Sequence, residues 1–256
     1  MAGAQKVPLS EKSLSALEKH TTDALSRDML VENSATVSIE KPEGAVKKLK
    51  VIIAAALRLS NETGFQAKSL QDLSRKAGES MGGLYAYFDG KTTLLHMVSS
   101  TVTKPVRGVL ATPPTDIAQD SITHLKWLID AHIRTTVDMP PWFSFSFMEA
   151  KNFPAKERRM VIDIEKLTER RFSKVCDRAK ANGVSRDDLR EILWALIKPL
   201  LQDWYVKRTK YHRRKITVET FIKTVQDFIL RACVNPETGL KAAMLADRDI
   251  APTPTA

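Results

Sequence analysis

Apolar residues along this chain recur at intervals of three and four, and almost nowhere at intervals of two between turn residues. A period near 3.6 places them on one face of an α-helix, whereas a strand needs alternation. The pattern restricts the chain to an all-α fold. Leu49, Ile52, Ile53, Ala56 and Leu57 form one such face, which Gly64 ends. Ser69 precedes LQDLSRKA, in which Leu70, Leu73 and Ala77 share a face. Ser69 is a good N-cap there and Gly78 a good terminator. A short helix is expected over about 80–87 and a longer one from Lys91 to about 108. The breaker ATPPTD, residues 111–116, separates these from helices expected over about 117–138, 142–151 and 155–181. Gly183 ends the last of these and Ser185 caps the next. That helix carries a wide apolar stripe from Leu189 through Leu196, Leu200 and Trp204, with Pro199 inside it as an expected bend. A final helix over about 217–233 presents Val218, Phe221, Ile222, Val225, Phe228 and Ile229.

Four regions follow from these signals. Residues 1–44 form a polar extension with one helix expected between Ser10 and Leu30. Residues 45–95 form a small helical domain, and 96–234 a larger one. Residues 235–256, ending APTPTA, read as a loose tail. No apolar run approaches the roughly 20 residues of a membrane span. The N-terminus lacks an apolar stretch of signal-peptide length. A cytoplasmic protein with no membrane partner is therefore expected. Cys176 and Cys233 fit no zinc or redox spacing, so no metal or cofactor is expected. There is no GxGxxG, Walker or HExxH motif, and His124 and His132, eight residues apart, lack a carboxylate to complete a site. The expectation is a protein that is not an enzyme, a helical enzyme being a remote alternative.

The net charge of +10 and a pI near 9.6 suggest a polyanionic partner. Residues 1–44 carry −2, residues 45–110 carry +6, and residues 111–256 carry +6 over more than twice the length. The stretch GESMGGLYAYFDGKTTLL, residues 78–95, lies in the most basic region. Two short helices at about 70–77 and 81–87, joined by a tight turn at Gly78-Glu79-Ser80, make a helix-turn-helix. The second helix of such a unit enters the major groove by its N-terminal end. Adjacent glycines at 82 and 83 would let its backbone come close to DNA. Leu84 and Phe88, four apart, face inward onto Leu73, and Tyr85 and Tyr87 are expected to point outward. Lys91 opens the next helix, where its ammonium and the first backbone N–H groups are placed for a phosphate. The plainer reading of Tyr85 and Phe88 is that they only pack a helix.

Residues 48–97 resemble the N-terminal domain of the TetR (tetracycline-repressor-like) family of bacterial transcription factors. The resemblance rests on IIAAALRLSNETGF at 52–65, SLQDLSRKAG at 69–78 and S-x-G-x-LY-x-YF-x-x-K from Ser80 to Lys91. It covers roughly a fifth of the chain. It implies phosphate contacts by Ser69, Tyr87 and Lys91, a groove face of Met81, Gly83 and Tyr85, and close approach at Gly82, with Ser80 opening the helix. Met81 stands where lysine is common in the family, Gly83 where threonine is common, Ala86 where histidine or tyrosine is common, and Glu79 where a small apolar residue is usual.

The resemblance also implies a larger ligand and dimer domain. Helices at about 186–206 and 217–233 would pair with their copies in a homodimer, which suits a double-stranded inverted-repeat operator. Their stripes would otherwise be buried within one chain. The aromatic segment DMPPWFSFSFMEAKNF, residues 138–153, suggests an effector pocket of His124, Trp127, His132, Trp142, Phe145, Met148 and Trp204, or else an ordinary core. Such a pocket would act on DNA through the helix beginning at Lys91. The basic run YVKRTKYHRRK, residues 205–215, reads most simply as a solvated loop. Its alternative is an anion site of Lys207, Arg208, Arg213 and Arg214 for an acyl-CoA-type ligand. The expected function is a sequence-specific transcriptional repressor, associated with the nucleoid when bound to DNA and released by a small-molecule effector. The alternative is a nonspecific architectural DNA-binding protein.

Overall fold

The computed structural model describes residues 22–33, 42–138, 140–153, 155–184 and 190–233. The expected N-cap at Ser185, the first part of the helix expected from Ser10, and the tail from 235 lie outside the described residues. Every regular element among the described residues is helical. In chain order these are α1 (Thr22–Glu32), α2 (Pro42–Thr63), α3 (Leu70–Ala77), α4 (Met81–Tyr85), α5 (Lys91–Ala111) and α6 (Thr115–Gln119). They continue with α7 (Ser121–Asp138), α8 (Pro140–Glu149), α9 (Ala155–Ala181), α10 (Arg190–Val206), α11 (Arg208–Arg213) and α12 (Val218–Cys233). Short 3₁₀ turns occupy Phe65–Ala67 and Ala150–Asn152.

Three differences from the expected helices have local causes. The helix expected over 117–138 is two, because Asp120 takes extended dihedrals and its carboxylate accepts the Thr123 N–H at 2.7 Å. That is an N-cap, and it starts α7 afresh. Pro140 opens α8 rather than lying outside it, as a residue with no N–H to satisfy can in a first turn. The basic run 205–215 is not a loop, because it contains α11.

The described residues form two compact units. One comprises residues 22–112 and 131–168. Its core joins Leu49, Ile52 and Ile53 of α2 to Leu73, Leu84, Phe88, Leu94 and Leu95, and to Trp142, Phe145 and Phe153. The N-terminal extension contributes to this core. Leu25 and Met29 of α1 are buried against α2 and α5, each burial being worth about 1.5–3 kcal/mol. Glu32 of α1 is ion-paired with Lys104 of α5.

The other unit comprises residues 113–130 and 169–233. Here α10 packs on α11 and α12. Trp204 stacks on Tyr211 at 5.4 Å between ring centroids and meets Phe221 at 5.1 Å. The Tyr211 hydroxyl donates to the Asp203 carboxylate. Burial, and then that carboxylate, push the phenol up to about 12. Arg178 of α9 ties itself to α7, donating to Ser121 Oγ at 3.1 Å and to His124 Nδ1 at 2.9 Å. Gln226 of α12 donates to the Lys126 carbonyl at 2.8 Å. Leu196 and Phe228 remain 47% and 58% exposed on α10 and α12.

Candidate nucleic-acid interface

The turn between α3 and α4 is built from its own side chains. Ser69 and Asp72 form a reciprocal capping box at the start of α3. The Asp72 N–H donates to Ser69 Oγ at 3.1 Å, and the Ser69 N–H donates to Asp72 Oδ2 at 2.9 Å. The Ser69 backbone N–H, and then its hydroxyl, which donates to Asp72 Oδ2 at 2.8 Å, hold the Asp72 carboxyl below the usual range. At the other end Gly78 takes the left-handed conformation, φ 67°. Its N–H donates to the Arg75 carbonyl, and the Glu79 N–H donates to that of Ser74. This pair of bonds is the Schellman arrangement, which turns the chain sharply out of a helix. Ser80 then caps α4, its Oγ accepting the Gly83 N–H at 3.0 Å.

This framework fixes what α4 presents. Leu84 and Phe88 are fully buried on Leu73, as their spacing predicts. Tyr85 is 52% exposed. Gly82 is exposed, and a Cβ built there would meet nothing nearer than Ser80 Oγ at 4.0 Å. Gly83 differs, because its Cβ would sit 3.2 Å from Glu79 Oε2 and 3.3 Å from Ser80 Oγ. The cap itself therefore asks for a small residue at 83, while nothing inside the described chain asks for one at 82. Met81 is half-buried against the core instead of lying wholly on the outer face.

Two expectations change. Tyr87 does not point outward: it is 2% exposed, and its hydroxyl donates to the Ala45 carbonyl of α2 at 3.1 Å. Residues two apart on a helix lie about 200° round from each other, so an exposed Tyr85 leaves Tyr87 on the inner side, and α4 itself ends at Tyr85. Burial, and then the nearby Glu79 carboxylate, raise its phenol. Lys91 is not a free ammonium. Its Nζ donates to the carbonyls of Gln66 at 2.8 Å and Lys68 at 2.7 Å, and lies 5.3 Å from the centre of the Phe65 ring. Two of its three donors are used inside the chain. Burial lowers its pKa, and the Glu149 carboxylate works against that shift. The start of α5 has Gly90 as N-cap, with no side chain capping it.

The residues singled out as an effector pocket divide between the units. Trp142 and Phe145 lie in the core of the first, with Phe145 5.5 Å from Phe65, and Met148 of the same helix is 51% exposed. His132, in that unit, has a buried Nδ1 with no hydrogen-bond partner among the described residues, and burial pushes it down to about 4. In the second unit His124 accepts from Arg178, and burial followed by that cation pushes it to about 4. Trp127 is fully buried with its Nε1 unpartnered among the described residues. Trp204 is packed between Tyr211 and Phe221. In the basic run, Lys207, Arg213 and Arg214 are exposed, while the side chain of Arg208 lies outside the described residues. Sequence reasoning missed Glu149, a carboxylate 1% exposed in an otherwise aromatic segment. The signal was one acidic residue inside SFSFMEAKNF.

Among the described residues no group of His, Cys, Asp and Glu is arranged to hold a metal ion, and no helix is long and apolar enough to cross a membrane. Residues 52–98 match the sequence profile described as bacterial regulatory proteins, tetR family. Among curated proteins no sequence relative matches the chain. Several solved structures share its fold. One is the TetR family transcriptional regulator PfmR from Thermus thermophilus, with 22% identity, 70% of this chain and 97% of that chain covered, and a TM-score of 0.60. Another is a bacterial regulatory protein in the tetR family from Rhodococcus RHA1, with 18% identity, 72% and 96% covered, and a TM-score of 0.62. A third is the fatty acid degradation regulator FadR from Bacillus halodurans, with 17% identity, 72% and 94% covered, and a TM-score of 0.52. The capped turn lies within residues 52–98, which match the tetR-family regulatory profile, and the solved structures show that the chain shares the fold of such regulators.

Proposed function

We propose that the protein is a homodimeric transcriptional repressor that binds an inverted-repeat DNA operator through α3 and α4 and leaves it when a small hydrophobic effector binds. The observation that carries the DNA-binding reading is Gly82. A helical glycine costs about 0.5–1 kcal/mol relative to alanine. Here no neighbour needs the missing side chain, so a partner from outside is the natural reason for it. Tyr85 stands beside it, exposed, with a hydroxyl for a base edge or phosphate. The first amides of α5 are the candidates for a backbone phosphate, and Ser69 would contribute a contact by exchanging its hydroxyl bond to Asp72 for one to phosphate. Tyr87 and Lys91 act on DNA indirectly, by holding the surface that meets it.

Self-association is supported by Leu196 and Phe228, large apolar side chains left exposed on α10 and α12. A dimer would bury both and set two copies of α4 against successive half-sites. The effector class we assign is an acyl-CoA-type molecule. Within the second unit, Trp127 and Trp204 are the candidates for holding its chain, and Lys207, Arg208, Arg213 and Arg214 those for its phosphates. The FadR likeness fits that class.

The composition of α4 favours a second reading. Met81, Gly82, Gly83 and Leu84 carry no polar hydrogen-bonding side chain, so within α4 only Tyr85 does. Such a helix suits a nonspecific DNA-binding protein that grips backbone without reading bases. Competition between duplexes separates the two readings. A regulator prefers one inverted repeat over scrambled DNA by about 10³-fold or more. Equal affinity for every duplex, falling steeply with salt, supports the architectural role. The effector is tested separately with acyl-CoAs of increasing chain length. Release of bound duplex together with a raised melting temperature supports the assignment, and no change in either removes it.

A further inference from the structure

Glu149 ends α8 and is almost completely shielded from water. An ionised carboxylate in that position is tolerable only if donors satisfy it. Three do. Oε1 accepts the Ser60 hydroxyl of α2 at 2.8 Å and the Phe65 backbone N–H at 2.7 Å, and Oε2 accepts the Asn152 side-chain amide at 2.8 Å. The Phe65 bond matters most. Gly64, at φ 83°, breaks the backbone ladder of α2, which leaves the next N–H needing a partner. Glu149 supplies it from another part of the chain.

Phe65 opens the turn that leads into α3. Its ring lies against Phe145, one helical turn before Glu149. The carbonyls of Gln66 and Lys68 in the same stretch are held by Lys91 from the start of α5, and Ser69 follows as the N-cap of α3. The start of the helix-turn-helix is thus pinned from α8 on one side and from α5 on the other.

We propose that Glu149 is a positioning residue that fixes the start of α3, and with it α4, to α8, so that displacement of α8 is transmitted to the DNA-reading surface. This rests on the proposed reading of α3–α4 as the operator-binding unit. The two states are discrete: the Phe65 N–H is bonded to Glu149, or it is released and the turn loosens. An element of this kind, biased from both ends, is the physical requirement for coupling between sites.

The test uses the full chain with two readouts. One is amide hydrogen exchange at Phe65 and along α3, with α12 as internal reference. The other is affinity for the duplex that the wild type prefers. Glu149→Gln keeps an oxygen toward Ser60 and Phe65, and Asn152 can turn its own carbonyl toward the new amide. It is expected to stay within about threefold of wild type in both readouts. Glu149→Ala removes a buried charged acceptor, so exchange at Phe65 and α3 should quicken by about tenfold or more relative to α12, and duplex affinity should fall by about tenfold. Should Glu149→Ala fail to fold, Ser60→Ala removes a single donor and should raise the same exchange ratio by about threefold. Unchanged exchange in whichever variant folds overturns the proposal, as does faster exchange with unchanged duplex affinity. If the wild type prefers no duplex, the functional reading fails, while the exchange ratio still decides whether Glu149 holds the turn.

Discussion

Gly82→Ala should make the protein more stable and a poorer DNA binder. In the free chain the added methyl has room, because its nearest neighbour is Ser80 Oγ at 4.0 Å, an ordinary contact. Alanine is favoured over glycine in a helix by about 0.5–1 kcal/mol. For a chain of this size that is a rise in melting temperature of about 1–4 °C. On DNA the same methyl would stand where the backbone of α4 comes closest to the groove. A loss of at least about 1.4 kcal/mol, or tenfold in Kd, is expected. Circular dichroism melts and fluorescence anisotropy with a labelled duplex, on one preparation, read both effects. Gly83→Ala is the companion. Its Cβ would press on Glu79 Oε2 at 3.2 Å and Ser80 Oγ at 3.3 Å, so the Ser80 cap must shift. Moving the Glu79 carboxylate also loosens its 3.7 Å pairing with Lys48, worth about 0–1 kcal/mol. No gain in melting temperature is expected there. If Gly82→Ala stabilises the chain and binds DNA unchanged, this face of α4 does not meet DNA. If it lowers the melting temperature, the description of α4 itself is wrong.

Other substitutions test separate links. Tyr87→Phe removes the bond to the Ala45 carbonyl and should lower stability by about 0.5–1.5 kcal/mol in urea unfolding, leaving duplex affinity within about threefold. A loss of affinity of about tenfold or more with stability unchanged would return Tyr87 to the phosphate contacts. His124 and His132 are both held near 4 in the folded chain against 6.5 for the ordinary group. The unfolded chain therefore binds more protons between these values, and stability should fall as pH drops from about 6.5 to about 4 and stay level above about 7. Urea midpoints at pH 7.5 and 5 check this, and His132→Leu should reduce the difference. Phe228→Glu should turn a dimer, of twice 28.7 kDa by light scattering at micromolar concentration, into a monomer. A wild-type mass of 28.7 kDa would remove the dimer from the account.

Much of the fold is legible because its signals are local. The three-and-four spacing of Leu49, Ile52, Ile53 and Ala56 marks α2, and Ser69 and Gly78 bound α3 where their capping chemistry says they should. The inward pair Leu84 and Phe88 follows from spacing alone. What depends on distant partners was not legible. The Tyr87 hydroxyl can lie inside because the Ala45 carbonyl, 42 residues away, accepts it. Lys91 looks free until the Gln66 and Lys68 carbonyls, 25 and 23 residues away, come within reach. Glu149 has no local pattern, since its donors at Ser60 and Phe65 lie 89 and 84 residues away. The basic run looked like a loop because its charges outnumber its apolar residues, yet the ring of Tyr211 between Trp204 and Phe221 fixes it as a helix.

The most direct test of a base-reading dimer is selection of bound duplexes from a randomised pool at near-physiological salt, with Tyr85→Ala as the control because its exposed ring carries little of the core. The account predicts one enriched inverted repeat, its half-sites about one helical turn apart, lost or strongly weakened in the control. Equal retention of all duplexes by both proteins would contradict it, leaving α4 as a surface that holds DNA without reading it.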